Sequence, residues 1–332
     1  MNLNKNYISS LLIIGILFFM IAFVTNLQNP IGVFIYQYNS SNFLSQLGNF
    51  SVYIAYIVMG IPAGIILSRL GYRKMIILSS SIGILGFFIM SVSCYYFDIN
   101  PVLYFFIYLI GVFILGCCIC MVNTVANPFA NKLGDGGNKG NQLIQFGTFA
   151  SSIAAIIVPI LCGHVLGRVA SIDIKNCIPI FILESIIFII LIIFIYFQNI
   201  DESDKLKVSN EEVSRFKPLK YPYFIFGIIA IFCYIGIEVG IPNICNLFLV
   251  NSLGLETIVA GSIISIFYVF MMFGRLCGFF VGSKISSHIM LKWGSFISII
   301  LFLITFMAVS KIVMIIMNYG IIIFLMKCVC AI

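Results

Sequence analysis

The chain has 332 residues, of which 62% are hydrophobic and 9% charged, with a formal net charge of +7 and a mean hydropathy of +1.16. A soluble domain carries about 25% charged residues, so a soluble enzyme, a disordered chain and a disulfide scaffold do not fit. The basic residues fall between long apolar runs, which reads as membrane topology charge and not as a nucleic-acid footprint.

A helix needs about 20 apolar residues to cross the hydrocarbon core. Ten stretches meet this: 8–36, 44–68, 75–97, 101–131, 141–167, 178–199, 222–250, 257–283, 289–310 and 312–332. Span 1 follows only Lys5 and lacks a small-residue cleavage site, so it is not a cleavable signal. It carries Thr25, Asn26, Gln28, Asn29 and Pro30, and Asn26 and Asn29 share a helix face. Span 2 contains Gly60-x-x-x-Gly64, a spacing that lets helices approach closely in lipid. Arg69, Arg73 and Lys74 follow it. Span 4 carries Asn123, Thr124, Asn127 and Pro128 beside Cys117, Cys118 and Cys120, and span 5 opens with Asn141, Gln142, Gln145 and Thr148 at helical spacing. His164 lies near the outer end of span 5 and Glu184 towards the outer end of span 6. Both are expected at the interface, His164 with a proton relay as the other reading, and Glu184 as a structural acid with a functional carboxylate as the other reading.

Residues 199–221 hold ten of the 29 charges and read as a cytoplasmic linker. They divide the chain into an N-terminal six-helix bundle (1–198) and a C-terminal bundle of about four helices (222–332). Span 7 carries Tyr234, Glu238, Pro242, Asn243 and Asn246. Span 8 carries Gly274-x-x-x-Gly278, offset by 214 residues from the span 2 pair, which suggests a duplicated unit. Arg275, about two turns from the end of span 8, either snorkels or pairs with an acid, in a structural or gating role. Thirteen basic residues fall in alternate loops on one side of the membrane, against Arg168, Lys175 and Lys311 on the other. That bias puts the N-terminus in the cytoplasm.

Amides and acids in hydrocarbon are costly unless they face a cavity or a partner. Four helices bring neutral donors and acceptors, with one central carboxylate, towards an expected common interior. Each sugar hydroxyl both donates and accepts, and an amide answers both. A cationic ligand would call for several carboxylates and an anion for arginines. The other reading of these amides is helix-to-helix glue. The eleven cysteines lie mostly inside spans, without metal-ligand spacing or a disulfide framework. No nucleophile motif or glycine-rich nucleotide loop is present, so neither an enzyme nor a cofactor is expected.

The run Gly64-Ile-Ile-Leu-Ser-Arg69-Leu-Gly71-Tyr-Arg73-Lys74 resembles the loop signature of the major facilitator superfamily, with Ser68 where an aspartate is usual. Asn26-Leu-Gln-Asn29, Thr124-Val-Ala-Asn-Pro-Phe129, Leu143-Ile-Gln145, Phe232-Cys-Tyr-Ile-Gly236 and Gly274-Arg275 resemble the fucose/glucose/galactose permeases. The resemblance implies an all-α membrane fold of two six-helix bundles. It also implies alternating access by rocking of the bundles, and monomeric, proton-coupled sugar import across the bacterial inner membrane.

The polar clusters make Asn26, Asn29, Asn123, Asn127, Gln142, Gln145, Thr148, Tyr234 and Asn243 the candidate sugar-binding residues, with Gly64, Arg69, Gly71, Arg73 and Arg275 in conformational roles. Gln145 matches a sugar-contacting glutamine of the family, whereas Thr148 stands at an asparagine position. Asn29 and Asn123 stand where the fucose-type permease has acids, which leaves Glu238 as the carboxylate for proton or sodium coupling. Ten spans against the family's twelve suggest C-terminal truncation. The expected function is a permease for a neutral monosaccharide such as fucose, glucose or galactose. The alternatives are an exporter of lipophilic compounds on the same fold and a truncated, non-transporting membrane protein.

Overall fold

The computed structural model describes residues 5–39, 42–134, 138–166, 174–197, 220–251, 257–282 and 284–307. Helices α1 (Lys5–Asn39), α2 (Asn42–Tyr95), α3 (Pro101–Leu133), α4 (Asn138–Leu166) and α5 (Ile178–Phe197) belong to one compact unit, Met1–Leu206. Helices α6 (Pro222–Asn251), α7 (Thr257–Gly282) and α8 (Ser287–Met307) belong to a second, Lys207–Ile332. Every described element is helical, as hydrocarbon requires, because a helix satisfies its own backbone donors and acceptors. The first nine expected spans coincide with described helices; 312–332 lies outside the described residues, as does most of the expected linker.

Two expected spans, 44–68 and 75–97, join into α2. Its 54 residues would extend about 81 Å at 1.5 Å per residue, far more than the roughly 30 Å hydrocarbon core. The helix is interrupted at Gly71, whose φ of 77° and ψ of 175° leave helical geometry. A residue with a Cβ rarely adopts that backbone. The expected six-residue loop thus shrinks to a single glycine, since Arg69, Leu70, Arg73 and Lys74 are good helix formers. Helix α3 starts sharply at Asn100, whose side chain accepts the Leu103 N–H at 3.2 Å, with Pro101 at the first helical position.

Within the first unit, α2 packs along α3, and α1 lies against α4. The α2/α3 seam is close: a Cβ on Gly86 would stand 3.1 Å from the Gly111 carbonyl oxygen. On the α1/α4 seam, Gly147 makes room for the Phe18 ring, which a Cβ would approach to within 2.4 Å. The approach expected at Gly60 and Gly64 is not made among the described residues, because a Cβ at either meets nothing within 4 Å. Hydroxyl bonds to neighbouring backbones lace the helices together: Ser51 donates to the Leu109 carbonyl at 3.1 Å, Ser151 to that of Phe18 at 2.8 Å, and Ser93 to that of Tyr104. The Tyr108 hydroxyl donates to Gln28 Oε1 at 3.2 Å. Outside this core stand exposed apolar side chains such as Ile57, Phe88, Ile190 and Phe197, a belt suited to lipid and not to water.

Candidate functional site

Two groups of polar side chains lie inside these oily helices, one in each unit. In the first unit α3 supplies Asn123 and Asn127, one turn apart, and Asn127 Nδ2 donates to Asn123 Oδ1 at 3.2 Å. The Asn123 side chain also bonds to Tyr56 of α2. Asn123 is half-buried and Asn127 exposed. On α1, Asn26 Nδ2 donates to the Ala22 carbonyl at 2.7 Å and Thr25 bonds back to Ile21 at 2.7 Å. On α4, Thr148 donates to the Gln145 carbonyl at 3.0 Å, Gln145 is fully buried and Gln142 is half-buried.

Such back-bonding satisfies a donor within its own helix. An amide retains its carbonyl oxygen and a second N–H for another partner. The Tyr56, Asn123 and Asn127 group is therefore neutral, able to donate and accept, and partly open. Composition and spacing singled out the asparagines but missed Tyr56. A tyrosine among the aromatic residues of an apolar span carries no local signal of its partner.

The second unit holds a charged group. Tyr234 and Glu238 lie one turn apart on α6, and Arg275 projects from α7. An Arg275 guanidinium nitrogen stands 3.7 Å from Glu238 Oε1, and the Tyr234 side chain bonds to Arg275. That separation is an ion pair longer than a hydrogen bond. Arg275 is 9% exposed, whereas Glu238 is half-buried. The sequence left Arg275 either snorkelling or paired, and the structure pairs it with the predicted coupling carboxylate. The side chains of Asn29 and Asn243 lie outside the described residues, as does that of His164.

The segment just after Gly71 is anchored at two consecutive residues. Arg73 donates to the Tyr196 carbonyl at the end of α5 at 2.5 Å, and its guanidinium lies 5.8 Å from the Tyr196 ring. Tyr72 packs on Phe129 with centroids 5.5 Å apart, and the Lys132 ammonium lies 5.8 Å from the Tyr72 ring. Arg69 is exposed. Glu184 differs from expectation: it does not reach an interface but is fully buried.

The sequence profile of the Major Facilitator Superfamily matches residues 11–331. The chain belongs to the major facilitator superfamily. It is therefore a multi-pass membrane protein of a transporter family. It is 26% identical over 330 residues to a glucose/galactose transporter of Brucella abortus biovar 1 (strain 9-941), covering 94% of this chain and 76% of that protein. It is 23% identical over 330 residues to the L-fucose-proton symporter of Escherichia coli (strain K12), covering 91% of this chain and 74% of the relative. A crystal structure of the E. coli fucose:proton symporter superposes with a TM-score of 0.81 at 19% identity, covering 98% of this chain and 83% of that one. A proton:xylose symporter superposes with a TM-score of 0.70 at 14% identity, covering 98% and 81%. The fold of this superfamily member is thus shared with sugar symporters.

Proposed function

We propose that the protein is a secondary transporter for a neutral monosaccharide of the hexose or deoxyhexose class, working by alternating access. The observation that carries this reading is the uncharged Tyr56, Asn123 and Asn127 group, whose donors and acceptors suit sugar hydroxyls. The relatives named as glucose/galactose and fucose transporters support the substrate class. Asn26, Gln142, Gln145 and Thr148 of the same unit are further candidate sugar-binding side chains, and the sequence adds Asn29, Tyr234 and Asn243 as candidates. Glu238 couples transport to protons, as the name of the fucose relative suggests. Protonation removes its charge and releases Arg275 from the pair. The protein resides in the bacterial inner membrane as a monomer with its N-terminus in the cytoplasm, its two bundles joined by the linker 199–221.

The test is counterflow of tritiated L-fucose, D-glucose and D-galactose in proteoliposomes holding the full chain. One of these sugars exchanges, and Asn123→Ala slows exchange by about tenfold or more, because buried site groups are then left unmatched. A protein that exchanges none of the three refutes the reading, and so does an Asn123→Ala protein with unaltered exchange.

A further inference from the structure

We infer that Glu184 is a proton-binding site of the first unit, a carboxyl that takes up and releases a proton during transport. This rests on the transport reading above but invokes a residue outside the sugar site. Helix α5 buries Phe181, Glu184, Phe188, Leu191 and Ile195, whereas Ile182, Leu183, Ile186, Ile189, Ile190 and Ile193 are exposed. The buried residues recur every three or four positions, which is one helix face. Glu184 therefore points into the bundle, is 0% exposed, and has both carboxyl oxygens without a hydrogen-bond partner among the described residues.

The side chains that flank it on this face are apolar. Phe181 and Phe188, which flank it on the same face, lie 6.0 and 5.9 Å from the Phe87 ring of α2. A Cβ on Gly83 of α2 would touch both Phe188 and the Cys118 sulfur. Among the described residues, Cys118 of α3 interacts electrostatically with Glu184. Arg73 of α2 is engaged with Tyr196, twelve residues along α5, about 18 Å away. In the 3₁₀ turn before α5, Lys175 pairs with Asp98, and Cys177 is buried.

A structural acid would show its purpose as an ion pair, a cap or a bond to backbone, and none is present at Glu184 among the described residues. A metal ion would need several ligands, and no group of three or more acidic, histidine or cysteine residues is found among the described residues. A proton needs the carboxyl alone. Ionising it in this setting would leave a charge in hydrocarbon without a counter-charge, which is costly. Its charge therefore changes only when water reaches it, and by linkage proton binding favours the conformation that buries it. One O–H bond forms on uptake from water and breaks on release to water, and no electron moves.

The experiment compares wild type and Glu184→Gln in proteoliposomes with a tritiated hexose. Counterflow is measured without a pH gradient, and accumulation with an acid exterior. The ratio of accumulation to counterflow falls about tenfold or more in the variant, whereas an unchanged ratio overturns the proposal. If wild type shows no counterflow, the sugar reading fails. Glu184 is then judged by infrared spectroscopy, which shows a protonated-carboxyl stretch that is lost in Glu184→Gln. If that variant does not fold, Cys118→Ser, which changes the polar group that interacts electrostatically with the carboxyl, shifts the same band. An unaltered band overturns the assignment.

Discussion

Replacing Gly71 by alanine tests whether the interruption in α2 is set by backbone geometry. At φ 77° and ψ 175° the residue occupies a region that is nearly exclusive to glycine, where strain amounts to about 1–3 kcal/mol. Relaxing into a helical backbone would remove that strain. It would also pull Arg73 from the Tyr196 carbonyl and Tyr72 from Phe129. The Arg73 bond, at most about 1.5–3 kcal/mol and less for its partial exposure, together with the Tyr72 packing on Phe129, is comparable with the strain, so relaxation gives little saving. Unfolding of a unit this size shifts by roughly 2–4 °C per kcal/mol, so the melting temperature of Gly71→Ala should fall by about 2–12 °C. The buried thiols of Cys94, Cys118, Cys120 and Cys177 report unfolding through a thiol-reactive fluorophore added during a thermal ramp. Gly71→Asn makes the test selective. Asparagine tolerates an ordinary left-handed turn but not this ψ, so it should destabilise as much as alanine does. An asparagine variant as stable as wild type would falsify the geometric account.

Two further substitutions probe the buried polar contacts. Tyr108→Phe deprives Gln28 Oε1 of its donor, and Gln28 Nε2 already lacks a described partner. The loss of about 1–3 kcal/mol should appear in the same thermal ramp, and no shift would mean that water replaces the phenol. Glu238→Gln and Arg275→Gln each leave one charge of the 3.7 Å pair unmatched, so each single variant should be less stable than additivity with the double variant implies. A coupling of about 1–3 kcal/mol in the double-mutant cycle is expected. Additivity within about 0.5 kcal/mol would show that the two charges do not depend on each other.

The apolar runs were legible in the sequence because hydrocarbon demands continuous helices of near-fixed length, and described helices coincide with nine of the ten expected spans. Inward faces were not legible. Helix α5 is almost entirely isoleucine, leucine and phenylalanine, so periodicity offers no apolar stripe to set against a polar one, and Glu184 could be placed only by its distance along the span. The packed structure resolves that face through Phe181, Phe188 and Leu191. The pair of Glu238 with Arg275 was half visible, since a buried arginine calls for an acid but spacing does not name it. Among the described residues the repeated Gly-x-x-x-Gly of the first unit makes no close approach, whereas the unremarked Gly86 does. Close approach depends on what the facing helix offers, and Gly111 opposite Gly86 offers a bare backbone, while Gly60 and Gly64 meet no neighbour among the described residues.

The bond from Arg73 to Tyr196 joins residues 123 positions apart in the chain. At about 5–20 residues per second of synthesis, roughly 6–25 s pass between making the arginine and making its acceptor. Throughout that interval the bend after Gly71 lacks this bond and rests on Tyr72 packed against Phe129. A ribosome that stalls before the sixth span emerges would therefore leave the first hairpin inserted yet only half-latched, a form open to quality-control proteases.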